Sequence, residues 1–110
     1  MGTIDYTGLV KLLLTALKGS LANDWAVAKP YAEKEARAFA ENIKMIAALK
    51  LAGQIDEEEA RLQVQLQKNA MRIVLLTIKG LGILAVENAI NAAFDVVRST
   101  VNTALGWTIL

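Results

Sequence analysis

The sequence predicts an all-α fold, a bundle of three or four helices built around a central antiparallel hairpin. Three observations carry this. Apolar residues recur at three- and four-residue steps along most of the chain, and the two-residue alternation of a half-buried strand is scarce. There is one proline in 110 residues, so little interrupts a helix. The stretch 51–59 carries a helix stop followed at once by a helix start. The predicted helices span about 5–18, 24–51, 56–79 and 83–105, in a single domain 1–110.

The first helix, 5–18, has Thr3 and Asp5 as candidate caps, each able to accept a first-turn N–H that lacks an intrahelical partner. Thr7, Lys11, Thr15 and Lys18 make a narrow polar stripe, and Leu9, Val10, Leu12, Leu13, Leu14, Ala16, Leu17 and Leu21 fill the rest. Such a helix either packs on its neighbours or lies along a lipid surface. Lys11 interrupts the apolar run and no basic residue precedes it, which argues against a signal peptide. Gly19-Ser20 is the expected end.

In the second helix, 24–51, Pro30 requires either a start near Lys29 or a kink, because proline removes a hydrogen bond and crowds the preceding turn. Trp25, Ala28, Ala32, Ala36, Phe39, Ile43 and Ile46 share one face, where the alanines admit a close neighbour. Lys34, Arg37, Glu41 and Lys44 form a solvated face opposite. Gly53 suits the left-handed residue that closes the helix. Asp56 and Glu59 have capping-box spacing, Glu57 and Glu58 complement the next helix dipole, and Ile55 precedes the cap as a staple. So short a connection makes helices two and three antiparallel neighbours.

From 56 to 110 the pattern changes phase. Up to Lys79, the charges Arg61, Lys68, Arg72 and Lys79 lie on one side, and Leu62, Leu66, Ala70, Ile73 and Thr77 lie opposite as the line to be covered by helix two. After Gly82 the polar line Asn88, Asn91, Asp95, Arg98 and Asn102 continues the apolar line of the first half. One straight helix against one core cannot satisfy both. Gly80 and Gly82 lie at the inversion and are the predicted hinge, since each weakens a helix interior by about 1 kcal/mol relative to alanine. The alternative is one continuous helix whose halves face different partners.

The last helix is apolar around most of its girth. Ile83, Val86, Ile90, Phe94, Val97, Val101 and Leu105, with Trp107 of the following tail, are the predicted interface, because they ask for more apolar partners than one small chain readily supplies. The polar line Asn88, Asn91, Asp95, Arg98, Asn102 is a solvent face, a buried polar seam between copies, or the wet lining of a membrane bundle. Asp95 and Arg98 are spaced to pair. The tail Gly106-Trp107-Thr108-Ile109-Leu110 is apolar enough that it is expected to dock.

Function is bounded mainly by exclusion. The chain is 55% hydrophobic and 21% charged, with 12 basic and 11 acidic residues and a net charge of +1. That balance does not steer nucleic acid. There is neither cysteine nor histidine, so disulfides are excluded and the commonest general base and metal ligand are missing. Gly80 and Gly82 follow a helix and lack the third glycine of a nucleotide loop. The glutamates lack the Glu-x-x-His pattern of a carboxylate metal bundle. No cofactor, metal or small-molecule substrate is expected. Ile73 to Val86 is too short for a transmembrane span and is followed by Glu87, Asn88 and Asn91.

The sequence therefore favours a non-enzymatic structural or assembly protein acting as a homo-oligomer through its C-terminal helix, such as a particle or filament subunit. Such a protein is expected in the cytoplasm or within the assembly rather than secreted. A membrane-associated or membrane-perturbing helical protein and a binding module for a hydrophobic ligand or partner helix are the alternatives.

Overall fold

A computed structural model describes residues 4–110. Among them are four α-helices: α1 (Tyr6–Leu21), α2 (Trp25–Leu51), α3 (Glu57–Leu76) and α4 (Ile83–Leu105), with a single 3₁₀ turn, Ala22–Asp24, between α1 and α2. The all-α bundle and its central hairpin are as the periodicity predicts.

Each helix in turn contacts the next, and α4 closes the ring against α1. The most extensive packing between neighbouring helices is between α1 and α4, and the least extensive is between α3 and α4. The bundle measures 44 × 22 × 19 Å. A helix the length of α2 is about 40 Å long at 1.5 Å per residue, so the helices run along the long dimension. Phe39 of α2 meets Phe94 of α4 across the centre, edge to face at 5.1 Å and 83°, an arrangement that adds about 0.5–1.5 kcal/mol to simple burial.

Local chemistry sets the helix ends. The Asp5 carboxylate accepts the Gly8 N–H at 3.0 Å and starts α1; Thr3, the other candidate, lies outside the described residues. Gly19-Ser20 does not end this helix. It runs on to Leu21, whose side chain is buried with Leu9, Leu13 and Leu17, and stops at Ala22 with φ +50°. Burial of a fourth leucine outweighs the helix-breaking tendency of one glycine. In α2, Pro30 sits inside an unbroken helix that starts at Trp25. Pro30 and Ala26 are both exposed, so water can reach the carbonyl that the missing N–H leaves unbonded.

The hairpin turn follows its sequence closely. Gly53 takes φ +70°, and the bonds Gly53 N–H to Lys50 O (3.0 Å) and Gln54 N–H to Leu49 O (2.8 Å) form a Schellman closure. Asp56 and Glu59 then cap α3 reciprocally, at 2.7 and 3.0 Å. The hinge is a true break. Helix α3 ends at Leu76, three residues before the predicted end at Lys79; Gly80 takes φ +96° and Gly82 is the extended N-cap of α4.

Candidate interaction surface

Six of the eight residues expected at an interface lie inside the chain's own core. Val86, Ile90, Phe94, Val97, Val101 and Leu105 are all buried. The physical reason is α1, whose leucines Leu9, Leu13, Leu17 and Leu21 form a full apolar face against α4. That expectation is therefore corrected for these six: α4 has its apolar partners within the monomer. Ile83, the first residue of α4, is 73% exposed. Trp107 is half-buried beneath the Lys50 ammonium, 4.5 Å from the ring centroid, and the same ammonium donates to the Leu105 carbonyl.

The polar line of α4 is mostly a solvent face. Asn88, Asn91, Asp95 and Arg98 are exposed, and Asp95 pairs with Arg98 at 2.7 Å. Asn102 has a separate role. Its Oδ1 accepts the N–H groups of Ile109 (3.0 Å) and Leu110 (3.1 Å) and folds the tail back along the helix. Ile109 is buried as a result, and Arg61 donates to the Thr108 carbonyl at 3.0 Å. The tail docks, as its composition requires.

Helix α3 is where sequence and structure part. It buries Ala60, Val64, Met71 and Leu75, not the line Leu62, Leu66, Ile73. Those three are 60%, 63% and 61% exposed, and Leu76, at the end of the same line, is 39% exposed. The cause is the basic residues. Arg61, Lys68 and Arg72 do not point directly away from the core; they flank it on the α4 side. Arg72 reaches Glu87 at 2.6 Å, Lys68 lies 5.5 Å from the Phe94 ring, and Arg61 holds the tail. Long basic side chains cover apolar surface with their stems while their heads reach polar partners. Arg72 and Lys68 lie over the α3–α4 seam and Arg61 over the tail, and the leucine line is on the opposite, solvent side of α3. Ile83 and Leu84 at the start of α4 are also exposed, at 73% and 75%.

The clefts gather no chemistry. A groove of about 490 Å³ between α1 and α2 is lined by Tyr6, Thr7, Val10, Lys11, Arg37, Ala40 and Glu41. Burial pushes the Tyr6 phenol above its usual pKa, so it is neutral at pH 7. A smaller cleft of about 220 Å³, beside the docked tail, holds Arg61, Lys68 and Arg98 around Phe94. Neither places a nucleophile beside a base. Among the described residues, no three acidic groups come together to hold a metal, and no helix is long and apolar enough to cross a membrane.

No protein-family model matches the chain, and no curated protein or solved structure resembles it closely enough to count as a relative. The candidate surface therefore stands on geometry alone: the exposed apolar residues Leu62, Leu66, Ile73 and Leu76 on one face of α3, with Asn69 among them.

Proposed function

We propose that the chain is a non-enzymatic structural or assembly protein that works as a homo-oligomer, a repeated subunit whose contact surface is the outer face of α3. The observation that carries this reading is the line Leu62, Leu66, Ile73, Leu76. Single exposed leucines are ordinary on a protein surface, but a line of four exposed apolar residues, interrupted only by Asn69, beside a complete core marks a contact surface. Covering one half-exposed leucine is worth on the order of 1 kcal/mol at about 25 cal/mol per Å², so a line of four per copy favours association.

The test is the mass in solution. Light scattering in plain buffer is expected to show a multimer, and Leu66→Asp is expected to reduce it to a monomer with helicity unchanged, because Leu66 is 63% exposed and supports nothing inside the chain. A wild-type monomer at all concentrations would sink the reading. A chain that pellets with lipid vesicles and reaches a defined mass only in detergent would favour the membrane-associated alternative.

A further inference from the structure

We propose that two copies pair through α3 in antiparallel sense, Leu62 of each against Ile73 of the other, about a two-fold axis between residues 67 and 68. This pairing rests on the assembly reading above and gives it a partner, a direction and a register. Leu62, Leu66, Asn69, Ile73 and Leu76 are spaced four, three, four and three along α3, the spacing of a heptad seam. A seam of this kind is geometrically suited to another helix, and a second copy supplies an identical one.

Charge sets the direction. The start of α3 carries Glu57, Glu58 and Glu59, while Lys79 lies just beyond its end. Parallel copies would bring the three glutamates of one against those of the other, with Glu59 meeting Glu59 on the seam line. Antiparallel copies bring each acidic end to the end that carries Lys79. Glu59 then faces Leu76 of the second copy, and its carboxylate is already turned back to the Asp56 N–H at 3.0 Å, which leaves its aliphatic stem for the contact.

Apolar coverage and charge together set the register. With Leu62 opposite Ile73, Leu66 falls opposite Asn69, and every apolar member of the line is covered. A slip of one heptad one way brings Arg72 against Arg72 of the second copy. A slip the other way leaves Leu76 beyond the start of the opposing helix. Asn69 enters the seam with its Oδ1 accepting from Gln65 (3.2 Å) and Arg72 (2.5 Å). The two Asn69 amides fall in adjacent layers across the axis, where a polar residue fixes register at some loss of stability.

The absence of cysteine makes the experiment direct. Leu62→Cys and Ile73→Cys are prepared separately, mixed and oxidised. The mixture is expected to give a disulfide dimer joining one variant to the other, and neither variant alone is expected to cross-link. Cross-linking of Leu62→Cys with itself would overturn the antiparallel direction. A dimeric mass without cross-linking in the mixture would overturn the α3 contact while leaving assembly intact. A monomeric wild type would remove both.

Charge reversal supplies the second arm. Glu58→Lys is expected to weaken association about two- to tenfold in low salt, as loss of exposed ion pairs in two symmetric copies predicts. Adding Lys79→Glu is expected to restore it. The two positions are 21 residues apart in sequence and lie at opposite ends of α3, so restoration cannot arise within one chain; failure to restore would overturn the pairing of these ends.

Discussion

Asn102 shows how one side chain can act outside the pattern it belongs to. In sequence it is the last member of a polar helical line. In the fold it closes the structure, because Gly106 takes φ +70° and turns the chain so that the N–H groups of Ile109 and Leu110 reach Asn102 Oδ1. Asn102→Ala leaves two part-buried donors without their acceptor and is expected to lower stability by about 1–3 kcal/mol. Denaturant unfolding measures that loss, and a red shift of tryptophan emission reports release of Trp107 from Lys50. Tyr6 offers a test by pH. Burial raises its folded pKa above the ordinary value of 10.0. Unfolded chains then lose this proton at lower pH than folded ones, so the contribution is intact below pH 10 and is lost as pH rises through the folded pKa. Tyr6→Phe is expected to flatten the stability–pH curve above pH 10, read from melting temperature; an unchanged slope would mean that this phenol does not contribute.

At the scale of elements, α3 and α4 exchange the roles that their compositions imply. Helix α4 is apolar nearly all round and was the expected outward-facing element, yet α1 and the Phe39 edge of α2 enclose it. Helix α3 has a mean composition suited to a surface helix, and it leaves its best leucines in water. Val97→Asp tests this assignment. At a subunit interface it would dissociate copies and leave each chain helical. Buried as it is at 0% exposure, it is expected to cost about 4 kcal/mol or more, a large share of the roughly 5–15 kcal/mol that holds a small domain folded. Circular dichroism with denaturant decides between the two outcomes. The contrast with Leu66→Asp, expected to leave the fold intact, separates the core face from the surface face.

For the molecule as a whole, a small bundle has a poor ratio of surface to volume, and association is one remedy. If the native chain is a dimer, its melting temperature is expected to rise with protein concentration, because mass action stabilises whatever binds only the folded state. Leu66→Asp is expected to abolish that dependence, and scanning calorimetry over a hundredfold range of concentration measures it. The wild-type value remaining constant over that range would argue against self-association. The hairpin, the capping box, the Schellman glycine and the hinge at Gly80 and Gly82 were legible in sequence, since each depends on residues a few positions apart; the docking of the tail was legible from its apolar composition, but its distant partners Lys50 and Arg61 were not. The extra turn of α1 to Leu21 was not, because a buried leucine overrode Gly19-Ser20.

The sequence by itself determined the helices and their order, but it assigned the uncovered apolar surface to α4 and expected the line on α3 to be covered. Only the tertiary structure decided which helix carries the uncovered surface. The reason lies in the flanks of α3. A helical wheel places Arg61, Lys68 and Arg72 on a polar side, but their length lets them reach Thr108 of the docked tail and Phe94 and Glu87 of α4. Where such stems cover the seam, the core lies beside the charges rather than opposite them, and Leu62, Leu66 and Ile73 turn outward. Side-chain reach between helices is a property of the packed bundle, and periodicity within one helix does not contain it.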